Sequence, residues 1–113
     1  LKRAIIATTA ALLCATLPGA APRAASDAGL DWLARKCRLY ADAWAHVRES
    51  LGPDDLGAGF VSSNDAFIAQ GCRKRVAVCP RSRLELQVAD VLTLAMANAG
   101  ATGSFLPFSC ASD

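Results

Sequence analysis

The stretch Cys79-Pro80-Arg81-Ser82, followed by the helix formers Arg83 to Asn98 and by Gly100, decides how this chain folds. Ser82 and Glu85 are spaced as a capping box. The hydroxyl can accept from the Glu85 amide while the carboxylate reaches back to the Ser82 amide. Pro80 sits just ahead of that start, where no helical N–H is needed. Leu84, Val88, Val91, Leu92, Ala95 and Ala99 recur at three- and four-residue steps and so share one side of a helix. Leu86, Leu94 and Met96 fall on the other side among Gln87, Asp90 and Thr93. A helix apolar around most of its circumference is normally surrounded by other elements, so this segment is expected to be a central, buried helix.

Upstream, residues 27–50 form an amphipathic helix. Leu33, Cys37, Tyr40, Trp44, Val47 and Leu51 make a single apolar seam, with Arg35, Arg38, Asp42, His46 and Glu49 opposite. Gly52-Pro53 ends it. Residues 53–61 read as a loop. A shorter helix is expected from Ser62, with Asp65 as its capping acid and Phe67, Ile68 and Cys72 facing inward. Beyond Gly100, Pro107 rules against a further helix. Phe105, Leu106 and Phe108 predict that the tail runs back along the third helix to the neighbourhood of Cys79. The expected fold is all-α: a small disulfide-stapled three-helix domain with an extended C-terminal tail packed back on the helices.

The first residues read as an export signal. Lys2 and Arg3 precede an apolar run from Ala4 to Leu17, too short to span a bilayer, and Pro18-Gly19 breaks it. Cleavage near Ser26 divides the chain into a signal peptide, 1–26, and one helical domain, 27–113. It also removes Lys2, Arg3 and Arg23, leaving nine basic residues against ten acidic ones. A nucleic-acid footprint is therefore not expected, nor a membrane anchor after cleavage, and the expected location is the bacterial periplasm or the medium.

Four cysteines remain after cleavage, and an even number in a short exported chain reads as a disulfide framework. The favoured pairing is Cys37–Cys72, joining the first two helices, with Cys79–Cys110 pinning the tail. Cys72–Cys79 with Cys37–Cys110 ranks next. The spacing from Cys72 to Cys79 does not suit a zinc knuckle.

No catalytic constellation is legible. His46 lies on the polar face away from Cys37, and no serine occupies a nucleophile turn. Asp54-Asp55 reads as a solvated pair, and neither a calcium loop nor a phosphate-cradling glycine loop is present. An enzyme, a cofactor and a metal are therefore not expected. The one segregated feature is basic: Arg73, Lys74, Arg75, Arg81 and Arg83 bracket Cys79 and could meet an acidic partner, anionic lipid headgroups or the cell-wall polymer. The expected function is a non-enzymatic binding module for another protein. A periplasmic stress chaperone and a small-molecule carrier are the other classes considered.

Cys37-x-x-Tyr40, Cys79-Pro80, Gln87, Asp90-Val91-Leu92 and the aromatic-rich stretch ending at Cys110 are similar to segments of the Rap1a/Tai type of immunity protein. Those are small helical periplasmic proteins that neutralise secreted cell-wall amidases. This chain lacks the leucine that the family places between its cysteine and proline. It is too short for the family's last helix, and the family's Phe-Pro-Cys ending stands here as Phe108-Ser109-Cys110. The resemblance covers fragments and does not assign a family; it implies a small helical fold and an amidase as the partner.

Overall fold

The computed structural model describes residue 11, residues 24–73 and residues 76–111. The expected export segment therefore falls, up to residue 23, almost entirely outside the described residues. Three α-helices and one 3₁₀ turn make up the described elements: α1 (Ala24–Glu49), α2 (Ala58–Ala69), α3 (Arg83–Asn98) and the turn Gly103–Phe105. Both expected disulfides are present, Cys37–Cys72 and Cys79–Cys110, with Cα atoms 5.6 and 4.6 Å apart.

The central helix is α1, against which both α2 and α3 pack. Its predicted seam is the buried one, with Cys37, Tyr40 and Trp44 buried and Leu33, Val47 and Leu51 half-buried. α3 is buried on one side only. Val88, Ala89, Leu92 and Met96 face the core, whereas Leu86, Val91 and Leu94 are 54, 55 and 63% exposed. The expectation of a surrounded α3 is thus corrected. Three helices leave one flank of α3 without a neighbour, and its outer apolar residues stay in contact with solvent.

Ser82 caps α3 as expected, accepting from the Glu85 amide at 3.1 Å. The other half of the box goes elsewhere. The Glu85 carboxylate, 5% exposed as a residue, accepts from the Arg81 amide at 3.1 Å through one oxygen and from the Gly57 amide at 3.0 Å through the other. Gly57 is the N-cap of α2 and has no side chain with which to cap it. An acidic group there also complements the positive end of the helix. This cap, lent by another helix, is the reason α2 begins at Ala58 and not at Ser62. Asp65 consequently lies well inside α2. Instead of capping, it accepts from Trp44 Nε1 at 2.9 Å and pairs with Arg48 at 3.8 Å, tying α2 to α1.

The core is rich in aromatic rings. Tyr40 meets Phe67 edge-on at 5.1 Å, Trp44 meets Phe60 at 6.0 Å, and Phe105 approaches both Tyr40 and Phe67. Phe108 stacks on Phe60. The tail's rings pack against rings of α1 and α2, and the tail returns to the neighbourhood of Cys79 as expected. Its backbone pairs with the segment ahead of Cys79: the Val78 amide donates to Pro107 O at 2.9 Å, and the Ser109 amide to Val78 O at 3.1 Å. One polar pair lies inside the core. Tyr40 and Asn64 are both fully buried; the phenol donates to Asn64 Oδ1, and Asn64 Nδ2 donates to Phe60 O at 3.0 Å.

Candidate functional site: a cationic cleft across the Cys37–Cys72 disulfide

Two helix ends build a depression on the surface. α2 closes in a Schellman turn, in which the Gly71 amide donates to Ile68 O and the Cys72 amide to Phe67 O. Gly71 has φ +71° and Cys72 φ +57°. The second is a conformation that a residue with a Cβ adopts at a cost of about 1–2 kcal/mol. The double left-handed step turns the chain so that Cys72 meets Cys37 and Arg73 emerges beside α1. α3 ends in the same way: the Gly100 amide donates to Ala97 O and the Ala101 amide to Met96 O, with Gly100 at φ +87°. That turn delivers Thr102 and Ser104 to the same region.

The result is a cleft with two lobes that share Leu33 and Arg73. The first lobe, about 250 Å³, is walled by Lys36, Arg73, Thr102 and Ser104 over a floor that includes Phe67, Phe105 and Pro107. The second, about 460 Å³, is lined by Ala34, Ala41, Ile68 and Ala69, with Arg38 at its edge. Cys72 lines the first and Cys37 the second, so the disulfide lies under both. Among the described residues no carboxylate lines either lobe. Lys36 is held in place by two rings, its ammonium lying 5.5 Å from the centre of Trp32 and 5.2 Å from that of Phe105.

The basic patch read from the sequence is divided by this arrangement. Arg73 lines both lobes, while Arg81 and Arg83 are exposed at the start of α3 and line neither. Lys74 and Arg75 lie outside the described residues. Lys36 and Arg38, which join Arg73, are the residues that sequence reasoning missed. The signal for them was present: they flank Cys37 as Arg73 follows Cys72, so the favoured pairing already implied their convergence.

His46 is exposed on α1, as its place on the polar face predicts. It lines a separate apolar groove of about 300 Å³ between α1 and α3, together with Val47, Ser50, Leu84 and Val91. The Ser50 hydroxyl donates to Val47 O at 2.8 Å, closing the end of its own helix. Among the described residues no three metal-ligating side chains gather, and no helix is long and apolar enough to cross a membrane. Compared with known proteins, the chain matches no family model, no curated sequence and no solved structure.

Proposed function

We propose that this chain is an exported, non-enzymatic binding domain that holds a segment of a partner protein in the cleft across Cys37–Cys72. The observation that carries the reading is the lining of the cleft: Lys36, Arg38 and Arg73 around an apolar floor, with no acidic residue among the described lining residues. Such a surface favours an acidic and apolar partner and rejects a basic one. The two disulfides suit an oxidising compartment, in keeping with the basic and apolar residues at the start of the chain. Under the immunity-protein reading, the partner is a secreted cell-wall amidase.

The test is site-specific photo-crosslinking in the bacterial periplasm, with the reactive group placed at Ala41 in the cleft or at Asp90 on the outer face of α3. The expected result is one product from Ala41, mapped to an acidic segment of its partner and lost on Arg38→Gln/Arg73→Gln. A product from Asp90 alone, or capture at Ala41 that ignores both arginines, ends the proposal. An amidase in that product, with cells protected from it by this chain, would assign the immunity role.

A further inference from the structure

The reading of the cleft as a partner-binding site leaves open which chemical group it selects, and the first lobe is specific on this point. Its donors are of two kinds. Lys36 and Arg73 supply full positive charges from separate elements, and the Thr102 and Ser104 hydroxyls lie 2.8 Å apart at its wall. The Lys36 ammonium lies over the rings of Trp32 and Phe105. Among the described residues neither lobe offers these cations a carboxylate partner.

Local electrostatics set the valence of the ligand. The lobe is walled by the turns that leave the C-terminal ends of α2 and α3, and each helix end carries about half a negative charge. Together the two ends offset roughly one of the two cations, so the lobe matches a monoanion better than a doubly charged phosphate. Phosphate sites also draw on the free amides of helix N-termini, whereas this lobe lies where α2 and α3 end. Free C-termini are captured by runs of backbone N–H groups, whereas the donors assembled here are side-chain cations and hydroxyls. Arg73 and Leu33 continue from this lobe into the larger one over Ala34, Ala41 and Ile68. A group bound beside Arg73 therefore places its neighbour on an apolar floor.

The geometry points to a receptor for an acidic side chain directly adjoining an apolar one, presented within a peptide segment of the partner: the carboxylate between Lys36 and Arg73, the apolar side chain over Ala41 and Ile68. This rests on the binding reading above and names the motif the cleft selects.

The experiment is an NMR titration of the intact oxidised protein with acetyl-Asp-Phe-amide, its isostere acetyl-Asn-Phe-amide, acetyl-Asn-Phe with a free C-terminus, and inorganic phosphate. Charge-assisted hydrogen bonds to two cations predict that the Asp peptide binds at least about tenfold more tightly than the Asn peptide. Its saturating shifts are expected at Arg73, Thr102 and Ser104. Arg73→Gln and Lys36→Gln each reduce the preference for Asp over Asn at least about threefold, while Arg83→Gln alters the binding of neither peptide. Equal binding of the Asp and Asn peptides overturns the inference. So does tighter binding of phosphate or of the free C-terminus, or a site of shifts around Arg81 and Arg83. If the peptides fail to differ while a partner still crosslinks through the cleft, this inference falls and the binding reading stands. Loss of cleft crosslinking removes both.

Discussion

Tyr40→Phe removes one oxygen from the centre of the domain, and its consequences can be worked through. The phenol donates to Asn64 Oδ1, both residues are fully buried, and among the described residues no other donor reaches that oxygen. Deleting the hydroxyl leaves a buried amide carbonyl unsatisfied, at a cost of about 1–3 kcal/mol. In a domain of this size that corresponds to a fall in Tm of roughly 4–8 °C per kcal/mol. Because the gap comes from one pair, the double variant Tyr40→Phe/Asn64→Leu should be more stable than the sum of the single losses by about 1 kcal/mol. The same pair predicts a pH dependence. Burial pushes the Tyr40 phenol well above its ordinary value of 10.0. An acid whose native pKa is raised contributes fully below the unfolded value. Above it, the unfolded chain has released a proton that the native one retains. This contribution is therefore flat to about pH 10 and declines beyond it by about 1.4 kcal/mol per pH unit. Urea titrations followed by Trp32 and Trp44 fluorescence, at pH 8 and then from pH 9.5 to 11, would read both effects. The chain holds a single tyrosine, so phenolate absorbance reports Tyr40 alone. The expected outcome is that the gap between wild type and Tyr40→Phe narrows above pH 10. A gap that is constant to pH 11, or a variant within about 0.5 kcal/mol of wild type at pH 8, would refute the reasoning.

Glu85→Ala should cost about 3–5 kcal/mol, since the Arg81 and Gly57 amides both lose a carboxylate acceptor. Hydrogen exchange should then speed up first at the start of α2, 28 residues away in sequence. Two glycine substitutions should have opposite signs in thermal melts. Gly59→Ala, inside α2 with open space around its Cβ, is expected to add about 0.5–1 kcal/mol. Gly100→Ala should cost about 1 kcal/mol, because φ is +87° there although Trp32 leaves room. Mild reductant, followed by alkylation and mass mapping, should open Cys79–Cys110 before Cys37–Cys72. Cys110 is exposed and Cys79 half-buried, whereas Cys37 and Cys72 are both buried.

What the sequence reveals here is what short-range periodicity and chain punctuation encode. The seam from Leu33 to Leu51 reports the buried side of α1, Ser82 marks the start of α3, and Gly100 marks its end. The pairing of the cysteines follows from helix faces and the reach of the tail. The start of α2 was illegible because its cap is a carboxylate borrowed from α3, and Gly57 offers no local signal. The outer face of α3 misled for a related reason: composition cannot say how many neighbours a helix has, and the exposed Leu86, Val91 and Leu94 look like core residues in one dimension. The cleft was partly legible. Its cations flank two cysteines whose partnership was anticipated, but Thr102 and Ser104 reach it only through the left-handed turn at Gly100.

The place of Phe105 and Phe108 in the aromatic core has a consequence for how the protein is made. Tyr40, Phe60 and Phe67 are translated long before the two rings that cover them. The helices can form as they emerge, yet their apolar faces stay open until residues 105–110 have been synthesised and Cys110 has found Cys79. A nascent chain still lacking its last stretch is therefore without the two rings that complete its aromatic core. Closing the second staple, Cys79–Cys110, also needs an oxidant, so the final covering of the core is tied to the redox state of the compartment in which the chain finishes folding.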